Sequence, residues 1–154
     1  MRYFEKISKK QFNKDIINGN YDDVMLPYRS TSLSAGYDFY LINDVEILPH
    51  SRVKIPTGIK VKLNDDEYLA IYIRSSIGTK YMVRMCNQVG IIDADYYNNI
   101  DNEGHIFVVL ENMSDEKIVF KKGDKYVQGI FMKYLLTDDD NVETERKGGF
   151  GSTD

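Results

Sequence analysis

From Tyr37 to Tyr134 the chain alternates short runs of β-branched and aromatic residues with polar turn segments, and this rhythm constrains the fold more than any other feature. The runs cover 37–42, 53–55, 58–63, 68–73, 106–111, 118–120 and 126–134. Between them stand Leu48-Pro49-His50, Asn64-Asp65-Asp66-Glu67, Ser114-Asp115-Glu116 and Lys121-Lys122-Gly123-Asp124, all rich in turn formers. Many short strands at near-regular spacing predict an all-β sandwich or barrel. One short helix is predicted near the N-terminus. Ser8-Lys9-Lys10-Gln11 has capping-box spacing, Phe12, Ile16 and Ile17 follow at helical intervals, and Gly19 can end the segment.

At 154 residues the chain is long enough for one domain with its own core. We divide it into a β-rich core with the N-terminal helix, 1–136, and a linker with a glycine-rich lid, 137–154. Thr137-Asp138-Asp139-Asp140-Asn141 supplies the solvated break between them. A single cysteine, Cys86, excludes an internal disulfide framework, and His50 and His105 alone cannot build a zinc cluster. Any metal is then expected to be a hard cation held by oxygens. A net charge of −4 argues against broad nucleic-acid binding, which needs a basic face. No run approaches membrane-spanning length and the N-terminus does not read as a signal, so a cytoplasmic protein without a membrane partner is expected.

Four segments carry chemistry. The tail, Arg146-Lys147-Gly148-Gly149-Phe150-Gly151-Ser152-Thr153-Asp154, combines glycines that let backbone N–H groups reach phosphate oxygens with a guanidinium, two hydroxyls and one flat ring. The bland alternative is a disordered polar end. Arg74-Ser75-Ser76-Ile77-Gly78 follows an apolar strand and reads as a phosphate-contact loop with a tight turn at Gly78, or as an ordinary solvated loop. Gly90-Ile91-Ile92-Asp93-Ala94-Asp95-Tyr96 places Asp93 after an apolar pair, where a partly buried carboxylate would serve as general base; an Asx-turn role stays open beside it. Ser34-Ala35-Gly36-Tyr37-Asp38 opens the first strong strand with a carboxylate that suits either a metal-bound water or a strand edge.

In order and spacing these segments resemble the motifs of the trimeric deoxyuridine triphosphatase (dUTPase) family, in a branch familiar from Firmicutes and their phages. Ser34 to Asp38 looks like the first motif, Arg74-Ser75-Ser76 the second and Asn87 to Tyr96 the third. Gly123-Asp124-Lys125-Tyr126-Val127-Gln128 looks like the fourth, and Gly148 to Thr153 the fifth. The resemblance implies a jelly-roll-like subunit, a homotrimer with active sites shared between chains, and Mg²⁺-dependent hydrolysis of dUTP to dUMP and pyrophosphate. It implies that Asp93 activates the attacking water, that Arg74, Ser75 and the Ser76 amide hold phosphates, and that Gln128 reaches them directly or through water. Asn87 and the backbone near Gly90 would read the uracil edge, and Tyr96 would pack where a 2′-hydroxyl would clash. Asp38 would touch the Mg²⁺ shell through water. Phe150 would stack on uracil while Arg146, Gly151, Ser152 and Thr153 close over the phosphates.

The chain departs from the family pattern in three places. Glu145 stands where many members have the tail arginine, Arg146 lying one residue nearer to Phe150; Ser76 replaces a common glycine; and 98–104 is longer than the usual turn after Tyr96. Two other functions remain on the sequence. A dCTP deaminase-type relative shares the fold, but Val109 stands where its catalytic glutamate is expected. The mobile tail and the 98–104 segment also suit a nucleotide-gated interaction module with a regulatory protein partner.

Overall fold

A computed structural model describes residues 1–151. Eleven strands, two short helices and two 3₁₀ turns, Tyr21–Asp23 and Ala94–Tyr96, follow one another along this stretch. A four-stranded sheet has the order β2 (Tyr37–Tyr40), β11 (Lys125–Lys133), β6 (Glu67–Ile73), β8 (Gly90–Asp93). A three-stranded sheet joins β4 (Arg52–Pro56), β9 (Phe107–Asn112) and β7 (Val83–Met85). Two antiparallel pairs complete the framework: β1 (Tyr3–Lys6) with β5 (Ile59–Lys62), and β3 (Val45–Ile47) with β10 (Ile118–Phe120). Every pairing is antiparallel, as expected for a jelly-roll-like subunit.

The strands form because alternate residues find an apolar interior. In β9, Val108, Leu110 and Asn112 point inward while Phe107, Val109 and Glu111 are only partly covered. Phe39, Leu69, Ile71, Tyr126 and Val127 meet Ile47, Ile55 and Phe120 in one continuous core. All seven expected strand runs are present, with ends shifted by at most two residues. β1, β3, β7 and β8 add to them. No helix among the described residues is long and apolar enough to cross a membrane.

The N-terminal helix α1 (Lys9–Asp15) starts where the capping signal puts it, the Ser8 side chain accepting the Gln11 N–H at 3.1 Å. Its other details differ from expectation. Gln11 turns forward to Asp15 rather than back to Ser8, the helix ends at Ile16 in an extended conformation ahead of Gly19, and Ile17 is exposed. A second helix, α2 (Ser75–Tyr81), replaces the expected phosphate loop and takes Gly78 into its body. Ile77, the buried residue of this helix, supplies the packing that its weak helix formers need.

The long segment after Tyr96 is ordered. Asn99 Oδ1 accepts the N–H groups of Asp101 and Asn102, each at 3.1 Å, and its amide donates to the Tyr96 carbonyl at 2.8 Å. Gly104 closes the loop at φ +82°, where a Cβ would stand 2.7 Å from the Tyr96 carbonyl oxygen and 3.0 Å from the Tyr97 Cα. Both neighbours are backbone and cannot turn away. Gly104→Ala is therefore expected to cost about 3 kcal/mol, adding overlap to a left-handed backbone; urea unfolding checks this, and an unchanged midpoint would refute the constraint.

Candidate active site

The sheet register sorts the candidate residues into two groups. Gln128 on β11 stands opposite Asp38 on β2 and opposite Tyr72 on β6, so the three side chains share one face. Arg74, two residues beyond Tyr72 and still extended at φ −73° and ψ 142°, falls on that face too. Its Nε lies 3.1 Å from Asp38 Oδ1. Lys125 Nζ and the Ser30 hydroxyl reach Asp38 Oδ2 at 3.0 and 2.7 Å. Burial alone would raise the Asp38 carboxyl's pKa, but the Ser30 and Lys125 hydrogen bonds and the Arg74 charge more than offset this and hold it below the usual carboxylate range. Asp38 thus stands on the edge strand β2, as one of the two readings expected, but as a buried ion-pair centre with both oxygens held. Gly36 belongs to the same cluster, since a Cβ there would overlap the Gln128 carboxamide oxygen and stand 3.1 Å from its Cβ. Ser75 and Ser76 open α2, exposed, where the first amides of a helix have no internal carbonyl to serve.

The second group sits at the other end of β6. Asp93 pairs with Tyr68, and Arg74 follows Tyr68 by six residues, so the two sites are about 20 Å apart along the strand. The expectation of a partly buried Asp93 is corrected: its side chain is 54% exposed, because β8 is an edge strand and its last residue points to solvent. Arg146 crosses over it, Nη2 donating to Asp93 Oδ2 at 2.8 Å and Nε to Asp95 Oδ1 at 2.7 Å. The guanidinium also lies 5.8 Å from the centre of the Tyr96 ring. Ile91, Ile92, Asp93, Tyr96, Arg146, Phe150 and Gly151 enclose a cavity of about 180 Å³. Tyr96 is buried, its hydroxyl donating to the His105 carbonyl at 2.8 Å and accepting from Asn102 Nδ2 at 2.9 Å. Burial raises its pKa. Asn87 is exposed in the bend that leads to Gly90, which packs against Ile71 and Met85. Ser152 and Thr153 lie outside the described residues.

Sequence reasoning missed Lys125 as a second cation on Asp38 and Asp95 as a second anchor for Arg146. The acidic pair at positions 93 and 95, facing a tail with one arginine, was the available signal for the latter. The carboxylate expected of a deaminase has no counterpart: Val109 pairs with Lys54 inside the sheet, and Glu111 is bound to Arg84 at 2.8 Å.

The sequence profile of the family described as dUTPase matches residues 22–154. The chain belongs to the dUTPase family. Its dUTPase relatives include the deoxyuridine 5'-triphosphate nucleotidohydrolase of Lactococcus lactis, 48% identical over 132 residues that span 84% of this chain and 88% of the relative. The enzyme of the same name from Hydrogenobaculum is 33% identical over 86% of this chain and 92% of its own. The crystal structure of the Streptococcus mutans dUTPase superposes with a TM-score of 0.75 at 39% identity, covering 88% of this chain and 98% of that one. The Lactococcus and Streptococcus relatives place the chain in a Firmicutes-like branch. A phage phi11 dUTPase, solved with a structural Mg(II) ion, shares the fold at a TM-score of 0.70 and 17% identity, covering 94% and 97% of the two chains.

Proposed function

We propose that this dUTPase-family enzyme cleaves dUTP to dUMP and pyrophosphate, with Asp93 taking the proton of the water that attacks the α-phosphorus. The observation that carries this reading is Asp93 itself, a half-exposed carboxylate held by Arg146 beside a cavity walled by Ile91, Tyr96 and Phe150. As the water oxygen bonds to phosphorus, the bond to the bridging oxygen breaks, pyrophosphate leaves, and Asp93 holds the proton. Flat and apolar walls suit a pyrimidine and its sugar. The backbone around Asn87 and Gly90 reads the base: uracil presents an acceptor at O4 and a donor at N3, and cytosine reverses both, leaving buried polar groups unpaired.

The phosphates need the other group: Arg74, the Ser75 hydroxyl, the Ser76 amide and Gln128. An α-phosphorus within about 3.5 Å of the attacking water cannot also reach donors that lie about 20 Å from Asp93 in the same chain. This separation supports a homotrimer in which one chain brings Asp93 and a neighbour brings Arg74. Arg146 then leaves its resting contact with Asp93 and Asp95 for the β- and γ-phosphates, and Phe150 stacks on the base, with Gly151, Ser152 and Thr153 following.

The residues present fit Mg²⁺ as a passenger of the triphosphate. Among the described residues no three carboxylate, imidazole or thiol groups converge as a cage, and both Asp38 oxygens are already held by cations. Asp38 would meet the ion's water shell. When bound, the ion gathers phosphate oxygens and offsets their charge.

Pyrophosphate release from dUTP, dCTP, dTTP and UTP with Mg²⁺ tests the function. A preference for dUTP of at least about a hundredfold is expected, the scale at which a pocket rejects an added methyl or hydroxyl, with dCTP, which leaves hydrogen-bonding groups unpaired, rejected more strongly still. Comparable turnover of dCTP would overturn the reading.

A further inference from the structure

The segment 98–104, which the reaction above does not use, touches three parts of the molecule at once. Towards the N-terminus, Glu103 binds the Ser8 hydroxyl and accepts its N–H at 3.0 Å, and Lys14 donates to the Asp101 carbonyl at 3.3 Å. Towards the nucleotide cavity, Asn102 Nδ2 donates to the Tyr96 hydroxyl. Towards the tail, Asp101 Oδ2 accepts the Gly149 N–H at 2.8 Å. Gly149 lies so close over Asn102 that a Cβ would stand 3.2 Å from Nδ2 and 3.3 Å from Cγ. Gly148 and Gly149 are buried in this contact, while Lys147 and Phe150 on either side are exposed.

We propose that the 98–104 loop is the dock on which the C-terminal tail closes, and that Asp101 is a positioning residue for the nucleotide lid. The inference rests on the reading of the tail as a lid. A tail with glycines at 148, 149 and 151 loses much backbone freedom when it settles, so closure depends on the few contacts that offset that loss. Asp101 supplies a charge-assisted hydrogen bond at the second glycine, and Phe150 is the next residue along. The loop is already rigid, because Asn99 and Asn102 satisfy its inner amides. The tail therefore meets a preformed surface and pays for the ordering of one partner only. Asp101 touches neither the base nor the phosphates; it acts through Gly149 on Phe150 and Arg146.

The chain has no tryptophan, so Phe150→Trp creates a single indole on the lid, which red-edge excitation reads apart from the tyrosines. In that background Asp101→Ala is expected to increase acrylamide quenching of the indole, both without nucleotide and with a hydrolysis-resistant dUTP analogue. In the otherwise natural chain Asp101→Ala should lower kcat/KM by roughly tenfold to a hundredfold, the value of one hydrogen bond to a charged group, with the melting temperature unchanged. Asp101→Asn keeps an acceptor for the Gly149 N–H and should restore both readouts. Unchanged quenching and unchanged kcat/KM in the alanine variant would overturn the dock, as would a loss in Asp101→Ala that appears equally after residues 146–154 are removed. Failure of the unmodified chain to turn over dUTP would sink the proposed function alone, since quenching without nucleotide reads the contact directly.

Discussion

Replacing Asp93 by asparagine is expected to lower kcat by roughly a thousandfold, the middle of the range for a lost general base, while a hydrolysis-resistant dUTP analogue still binds with nearly the same affinity. Asparagine keeps the shape of the side chain and can accept the Arg146 hydrogen bond, but it cannot take a proton from water. The fold should not notice, because the Asp93 side chain is 54% exposed and belongs to no apolar cluster. Asp95 provides an internal control. It has the same exposure and pairs with the same arginine, at 2.7 Å, but lies a 3₁₀ turn further on. If the two carboxylates act only as anchors for Arg146, both substitutions should have the same small effect, since an exposed pair contributes little. If Asp93 is the base, Asp95→Asn should stay within about threefold of the natural rate. Pyrophosphate release under saturating dUTP separates the cases, and Asp93→Asn turnover within tenfold of the natural enzyme would remove Asp93 from its role.

The strands that were legible in the sequence are those whose alternation outlasts their length. β6 and β11, with seven and nine residues, and β9 with its strict inward rhythm, announce themselves. β3 and β7 have three residues each with a charge in the middle, Glu46 and Arg84, which hides them where the wholly apolar β10 of the same length stands out; they exist because β10 and β9 offer them a partner edge. α2 was unreadable for another reason. Ser75-Ser76-Ile77-Gly78-Thr79 contains no strong helix former, so its conformation is set by the burial of Ile77 and by an extended Arg74 held in place by Asp38. In the site, residue types were legible and distances were not. Nothing in the sequence states that Asp93 pairs with Tyr68, yet that register puts the expected base and the expected phosphate donors at opposite ends of one strand. Burial followed the same logic: two apolar residues before Asp93 suggested an interior position, but the alternation along an edge strand turns Asp93 outward and Ile92 inward.

That separation makes a second prediction whose sign is opposite for the two possible assemblies. Arg74→Ala and Asp93→Asn should each be almost inactive alone, the first because the phosphates lose a guanidinium and the second because the water loses its base. If every site takes Asp93 from one chain and Arg74 from another, mixed assemblies contain sites in which both copies are intact. An Asp93→Asn chain brings a natural Arg74, and an Arg74→Ala chain brings a natural Asp93. Random mixing in equal amounts pairs the two intact contributions in about one site in four, so co-expression should restore roughly a quarter of the natural rate from two nearly dead proteins. A site complete within one chain admits no such rescue, since every chain in the mixture carries one lesion, and the rate should stay at the level of the single variants. Arg74→Ala needs one check before the mixture is interpreted. It removes one of the two cations on the buried Asp38, and the remaining Lys125, at 3.0 Å, must keep that carboxylate satisfied. A melting temperature within a few degrees of the natural protein shows that it does; a large drop calls for Gln128→Ala as the phosphate-side partner, since Gln128 lies on the same face and carries no charge to strand. Recovery in either mixture fixes the site between chains, and its absence in both, with folded assemblies, would overturn the shared site.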